Sequence, residues 1–226
     1  PTVAAVGRLS TVPLSPATLY ILRSCLAVTP TYLARTHAPN VSRIAVAPLD
    51  AVVARALGQW LAVDPAPAHD SMWTLVYLPI RMGGLGIPQH DLEYLTCAYE
   101  ASLERVLRPR AETIPQSDRM SRIFADRIKI ITSDRRLRKL VEATSAKGAA
   151  EWLHYRGGGM TETGCRFAVH HRLGSAPTMV SPAVGCTGCG YVAASGPDLL
   201  VHGAACVKVY NGAVAQHNAV RDWFVR

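Results

Sequence analysis

Cys186, Cys189, His202 and Cys206 stand at the spacing C-x2-C-x12-H-x3-C, a set of soft donors whose types and separation together specify a chemistry. Zinc takes four thiolate or imidazole ligands in a tetrahedron, at about 2.0–2.3 Å. Thr187 and Gly188, between the first two cysteines, suit a tight knuckle that sets both sulfurs on one side. His202 and Cys206 are four apart, so one helical turn points both at the same ion. Gly185, Gly188 and Gly190 let backbone amides approach the sulfurs. Three thiolates and one imidazole leave no open position, so the expectation is one zinc ion in a structural role. His217, in QHNAVRDWF, stays open between four roles: a substitute for His202, a ring over the site, an anchor for the last helix, or a partner contact.

The remaining cysteines do not extend this pattern. Six cysteines in 226 residues make no disulfide scaffold, and a CxxC pair suits metal binding in a reducing compartment. Cys25, Cys97 and Cys165 lie in apolar, helix-like surroundings and are expected as buried free thiols, since a free cysteine packs as a small hydrophobe. The opening PTVAAVGRLS has neither the basic n-region nor the long apolar h-region of a secretory signal. It begins on Pro1 rather than Met, as a processed or excised piece would. No run of about 20 apolar residues free of charge is present, so no membrane span is expected.

A second feature is charge. The net charge is +8, unevenly spread: residues 1–100 balance six Arg with six acidic groups, whereas residues 101–156 carry thirteen Lys and Arg against seven acidic groups. Arg119, Arg122, Arg127, Lys129, Arg135, Arg136, Arg138 and Lys139 form the densest part. Arg135, Arg138 and Lys139 share one helical face, as do Arg119 and Arg122. Such faces can follow phosphates at several points, giving salt-dependent binding that tolerates many sequences. The competing reading is a solvated face with local ion pairs to Asp118, Asp126 and Asp134. His170-His171-Arg172 adds His171 and Arg172 as helix-surface or phosphate contacts.

The elements that would position these groups read mainly as helix. Ser15 caps a helix with Pro16 at its first position, ending before Thr29-Pro30. HAPNVSRIAVAP, with prolines 39 and 48, reads as irregular, and LDAVVARALGQWLA as an amphipathic helix. LPIRMGGLGIP (78–88) reads as a tight glycine loop. Asp91 caps a helix to about Leu107, another covers 118–131, and Ser133 caps DRRLRKLVEAT. AKGAAEWLHY continues helical, Thr161 opens a helix to about Leu173, and AVAQHNAVRDWF makes the last one.

Several of these pieces agree with one family. ATLYILRSCLAVTPTYLARTHAP, LDAVVARAL and LPIRMGGLGIP resemble the region just downstream of the palm in non-LTR retrotransposon reverse transcriptases. EWLHYRGG, FAVHHRLGSAP, the cysteine–histidine cluster and QHNAVRDWF resemble the linker and CCHC zinc knuckle of the restriction-like-endonuclease type. The resemblance implies a mainly α fold: thumb-like helices in 1–110, a basic helical linker in 111–180, and a knuckle with terminal helix in 181–226. FADR (124–127) is not that family's FADD loop, because two-metal polymerisation needs adjacent carboxylates on a hairpin and Asp126 is followed by Arg127. Palm and nuclease would lie outside this chain, so no catalytic residue is assigned to it. Expected partners are RNA, DNA or both, and no membrane. The location would be nuclear for a mobile-element protein. A domesticated remnant would instead be a subunit of a ribonucleoprotein such as a ribosome, organellar or cytoplasmic. A zinc-stapled protein-interaction module is a third expectation.

Overall fold

A computed structural model describes residues 1–63, 71–108, 114–154 and 160–175; Cys186, Cys189, His202, Cys206, His217 and the last expected helix lie outside the described residues. The elements in order are α1 Thr2–Leu9, α2 Pro16–Ile21, α3 Thr31–Thr36, α4 Pro39–Leu61, α5 Ser71–Tyr77, α6 Leu92–Leu107, α7 Gln116–Thr132, α8 Arg135–Ser145, α9 Glu151–His154 and α10 Glu162–Leu173. A π-helical turn, Leu22–Leu26, extends α2, and a 3-10 turn covers Ile80–Met82. There is no strand among the described residues, so the mainly α expectation holds.

Where a helix has a strong local start signal, it starts there. Ser15 accepts from the Thr18 amide while the Thr18 hydroxyl accepts from the Ser15 amide, a reciprocal cap that satisfies two otherwise orphaned donors. Asp91 accepts from the Tyr94 amide at 2.9 Å and Thr161 from the Gly164 amide at 3.1 Å. Gly174 then ends α10 in the left-handed conformation. At α8 the capping carboxylate belongs to Asp134, which accepts from the Leu137 amide; Ser133 instead closes α7.

Two expectations are corrected. The stretch 37–48 is not irregular: α4 runs unbroken through Pro48. Pro39 occupies the first turn, where no amide is required. Pro48 removes the partner of the Ile44 carbonyl, but Pro48 is exposed and Ile44 is 79% exposed, so water can replace the lost bond. The stretch 146–150 is a turn rather than continuous helix, and Gly148 takes a positive φ of 86° there.

Although its 23 residues are long and apolar enough to cross a bilayer, α4 carries the centre of the core. Leu49, Val53, Ala56, Leu57, Trp60 and Leu61 share one buried cluster with Val6, Leu14, Leu22, Leu75, Leu78 and Leu85. The same cluster includes Ile131, Leu140, Leu153, Cys165, Val169 and Leu173. Helices from the expected thumb-like and linker stretches therefore share one core. A smaller cluster of Ala34, Val46, Leu95 and Ala98 joins α3, α4 and α6.

The 78–88 loop closes against this core with its backbone. Gly84 donates to the Pro79 carbonyl and Gly86 to the Leu78 carbonyl, at 3.2 and 2.8 Å. A methyl group at Gly84 would collide with the carbonyl oxygens of Leu78 and Leu75, and one at Gly83 would lie 2.6 Å from the Thr144 hydroxyl. By contrast, a methyl group at Gly7 in α1 meets nothing within 4 Å. Gly84→Ala is expected to cost more than about 3 kcal/mol, whereas Gly7→Ala should add roughly 0.5–1 kcal/mol by removing unfolded-state freedom. Urea unfolding followed by far-UV circular dichroism compares the two; equal midpoints would contradict this packing.

Candidate nucleic-acid interface

Helix α8 turns Leu140, Val141 and Thr144 inward and leaves Arg135 and Arg138 exposed, with Lys139 half-buried. The side chain of Arg136 lies outside the described ones. Arg138 donates to the Thr132 carbonyl at 2.9 Å, which fixes its stem at the α7–α8 corner. Among the described residues, no carboxylate pairs with Arg135, Arg138, Lys139 or the exposed Arg122 of α7. Arg135 and Arg138 also sit at the positive end of the α8 dipole, where a cation is disfavoured and an anion is welcome.

The other cations of the stretch are already occupied. Arg119 pairs with Glu100 at 3.0 Å and Glu104 at 2.6 Å. Arg127 pairs with Asp91 and, at 2.9 Å, with Glu93. Both arginines thus staple α7 to α6. Lys129 pairs with Asp126 one turn away, at 3.1 Å and fully in solvent, a contact worth at most about 1 kcal/mol. Asp126 lies inside α7 beside Arg127, so FADR is helix and not a hairpin.

Arg172 sits inward rather than on the helix surface. It is 2% exposed. Its Nε donates to the Gly84 carbonyl at 2.9 Å, Nη1 to Thr144 at 3.0 Å and Ala149 at 3.4 Å, and Nη2 to Ile80 at 2.7 Å. Burial, and secondarily the nearby Arg23, pull its pKa down to about 10, so it stays charged at neutral pH. His171 is half-buried, and burial lowers its pKa. A signal for the inward turn was available: Arg172 lies three and seven residues beyond Val169 and Cys165, on the stripe that faces the core. Of the three cysteines expected as buried thiols, Cys165 is buried and Cys97 half-buried, but Cys25 is exposed. It falls in the π-helical turn, where Leu22 and Arg23 take the inward positions.

Sequence reading also missed a groove of about 1000 Å³ between the glycine loop, the π-helical turn, α7 and the α8–α9 turn. Arg23, Arg81 and Lys147 line it together with Tyr77, Tyr94 and Phe124. These residues come from segments up to 124 positions apart (Arg23 to Lys147), so no linear pattern announces them. Among the described residues, no group of three or more His, Cys, Asp or Glu side chains could hold a metal ion. Compared with protein-family models, with curated proteins and with solved structures, the chain matches none.

His170 joins α10 to the end of α4. Its Nε2 lies 2.9 Å from the Leu61 carbonyl, which can only accept, so Nε2 carries the proton and Nδ1 accepts from the Ser175 hydroxyl at 2.9 Å. Burial first, and Arg166 second, hold its pKa below the ordinary 6.5, against the opposing pull of the Leu61 bond. The unfolded chain therefore binds the proton more readily, and stability present above about pH 6.5 should be lost as pH falls through the lower folded value. His170→Gln should flatten that acid limb of the melting-temperature profile; an unchanged slope would show that His170 does not cause it.

Proposed function

We propose that this chain is the non-catalytic, nucleic-acid-gripping portion of a retrotransposon-type reverse transcriptase: thumb-like helices, basic linker and zinc knuckle. The carrying observation is the set of cations on α7 and α8, Arg122, Arg135, Arg138 and Lys139, that have no carboxylate partner among the described residues. Leaving such cations unpaired at a helix N-terminus costs stability, and phosphate is the ligand that removes the cost. The order of motifs along the chain supports the particular family, from the glycine loop to the cysteine–histidine cluster. Gripping needs no reacting group. Phosphate contacts hold a strand in register while leaving its sequence unread.

In this reading one zinc ion, held by Cys186, Cys189, His202 and Cys206, would lock the C-terminal module of residues 181–226. A site built from three thiolates and an imidazole supplies folding energy and no chemistry.

Two measurements test the proposal. A log–log plot of binding constant against salt should be linear, with a slope near −3 if about four phosphates are engaged on a single strand. The triple variant R135Q/R138Q/K139Q should lower that slope by about 2 and weaken low-salt binding at least tenfold. Binding indifferent to salt, or untouched in the triple variant, would sink the reading. For the metal, the purified chain should carry one zinc, and its cobalt form should show thiolate charge-transfer bands. Cys186→Ser should abolish both while the melting transition of the helical body stays in place.

A further inference from the structure

The α8 face accounts for phosphates but not for the groove beside it. Arg23 lines that groove and is only 8% exposed. Its one hydrogen bond among the described residues is a long one, from Nη1 to the Leu85 carbonyl at 3.4 Å. The Tyr20 ring lies 5.8 Å from its guanidinium carbon. No carboxylate pairs with it among the described residues. Arg172 is close enough to feel its charge, but spends its donors on four carbonyls. So a nearly buried guanidinium keeps most of its five donors unspent, next to a second cation. A charge left in that state sets up a positive potential in the groove.

The rest of the lining narrows the ligand. Exposed Arg81 and Lys147 add positive charge at the groove, against Glu151 as the acidic lining residue. Arg127 also lines it, but is neutralised by Asp91 and Glu93. Three aromatic rings, Tyr77, Tyr94 and Phe124, join Val28, Ile80 and Pro88 in an otherwise apolar wall. Tyr77 stays neutral, since burial, and then Asp50, push its hydroxyl up to about 12. A volume near 1000 Å³ is at the top of the range of about 300–1000 Å³ usual for organic ligands, enough for a base with its sugar and phosphate. An acidic peptide would satisfy the cations and leave the rings idle. A duplex would offer phosphates but keep its bases stacked and out of reach.

We propose that this groove takes one unstacked nucleotide of a single-stranded nucleic acid, with its phosphate on the Arg23 guanidinium and its base against the aromatic wall. An arginine fork matches phosphate geometry through two parallel hydrogen bonds. A base on an aromatic ring gains on the order of 5- to 150-fold in affinity, whatever its identity. This inference rests on the nucleic-acid reading above, and gives it a preference: single strands over duplex.

The test uses the full chain and fluorescein-labelled oligouridine, oligothymidine and a duplex of equal length, followed by anisotropy. F124L removes a ring while keeping apolar volume. R81Q/K147Q alters only exposed side chains, so it remains informative if Arg23→Gln fails to fold. Each should weaken single-strand binding at least fivefold and leave duplex binding unchanged, whereas R135Q/R138Q/K139Q should weaken both. Photocrosslinking of 4-thiouridine RNA should label peptides containing Tyr77, Tyr94 or Phe124. Single strands that bind as wild type to both groove variants and crosslink only to α8 would overturn the groove and spare the gripping face. Loss of all nucleic-acid binding would overturn both. Displacement of the strand by polyglutamate but not by uridine monophosphate would assign the groove to an acidic peptide, and overturn it.

Discussion

The body depends on one buried cation. Moving a guanidinium out of water costs several kcal/mol unless its donors are met, and Arg172 meets that cost with carbonyls instead of a carboxylate. Those carbonyls belong to places where regular structure stops: Ile80 and Gly84 in the glycine loop, Thr144 in the last turn of α8, Ala149 in the turn before α9. The Ile80 carbonyl also accepts from the Gly83 amide at 3.1 Å, whereas those of Gly84, Thr144 and Ala149 have no other partner among the described residues. Replacing Arg172 by an apolar residue would leave two or more of them unpaired, at about 1–3 kcal/mol each. The glycines follow from the same junction. Gly83 lets Thr144 approach, Gly84 lets the loop's own carbonyls crowd together, and neither position tolerates a side chain.

That inward use of one arginine shapes what the others can do. Arg172 fills the junction and repels Arg23, whose remaining donors then face the groove rather than backbone. Carboxylates on α6 and its cap take Arg119 and Arg127, holding α7 in place and setting Phe124 on the groove wall. The basic excess of the middle of the chain thus splits in two. Part is spent on staples between α6 and α7, and part, Arg135, Arg138 and Lys139 on α8, is left without carboxylates among the described residues.

How much of this the sequence disclosed depends on how local the cause is. The starts at Ser15-Pro16, Asp91 and Thr161 were readable because each rests on a hydrogen bond spanning three residues. Helices α1, α3 and α5 have eight residues or fewer, too short to show a repeating apolar face, and are held by tertiary packing. Pro48 misled because its cost depends on which side of α4 faces water, which no single window reports. The ion pairs were legible only in part, for a related reason. Lys129 does pair with Asp126 one turn away, as a local reading expects, but the partners that staple α7 come from 15 to 36 positions upstream. The groove was hidden in the same way, since its cations and rings meet only after α7 and α8 fold back on the glycine loop. The cysteine–histidine cluster rests on spacing alone and lies outside the described residues.

The electrostatics of α8 tie the two proposed contacts together. Its eleven residues span about 16 Å, roughly five phosphate steps along one strand of a helix. Arg172 sits at its negative end, where a cation is favoured, and binds the Thr144 carbonyl there. Arg135 and Arg138 sit at its positive end, where a cation is disfavoured until an anion arrives. Directly after the C-terminal end come Lys147 and the groove. A strand drawn to the N-terminal cations through a screening length of about 10 Å would therefore be led along α8 toward the cleft. There short-range contact with Arg23 and the rings takes over from long-range attraction. High salt should weaken the first of these stages far more than the second, because a nearly buried guanidinium is shielded from the ions that screen an exposed one.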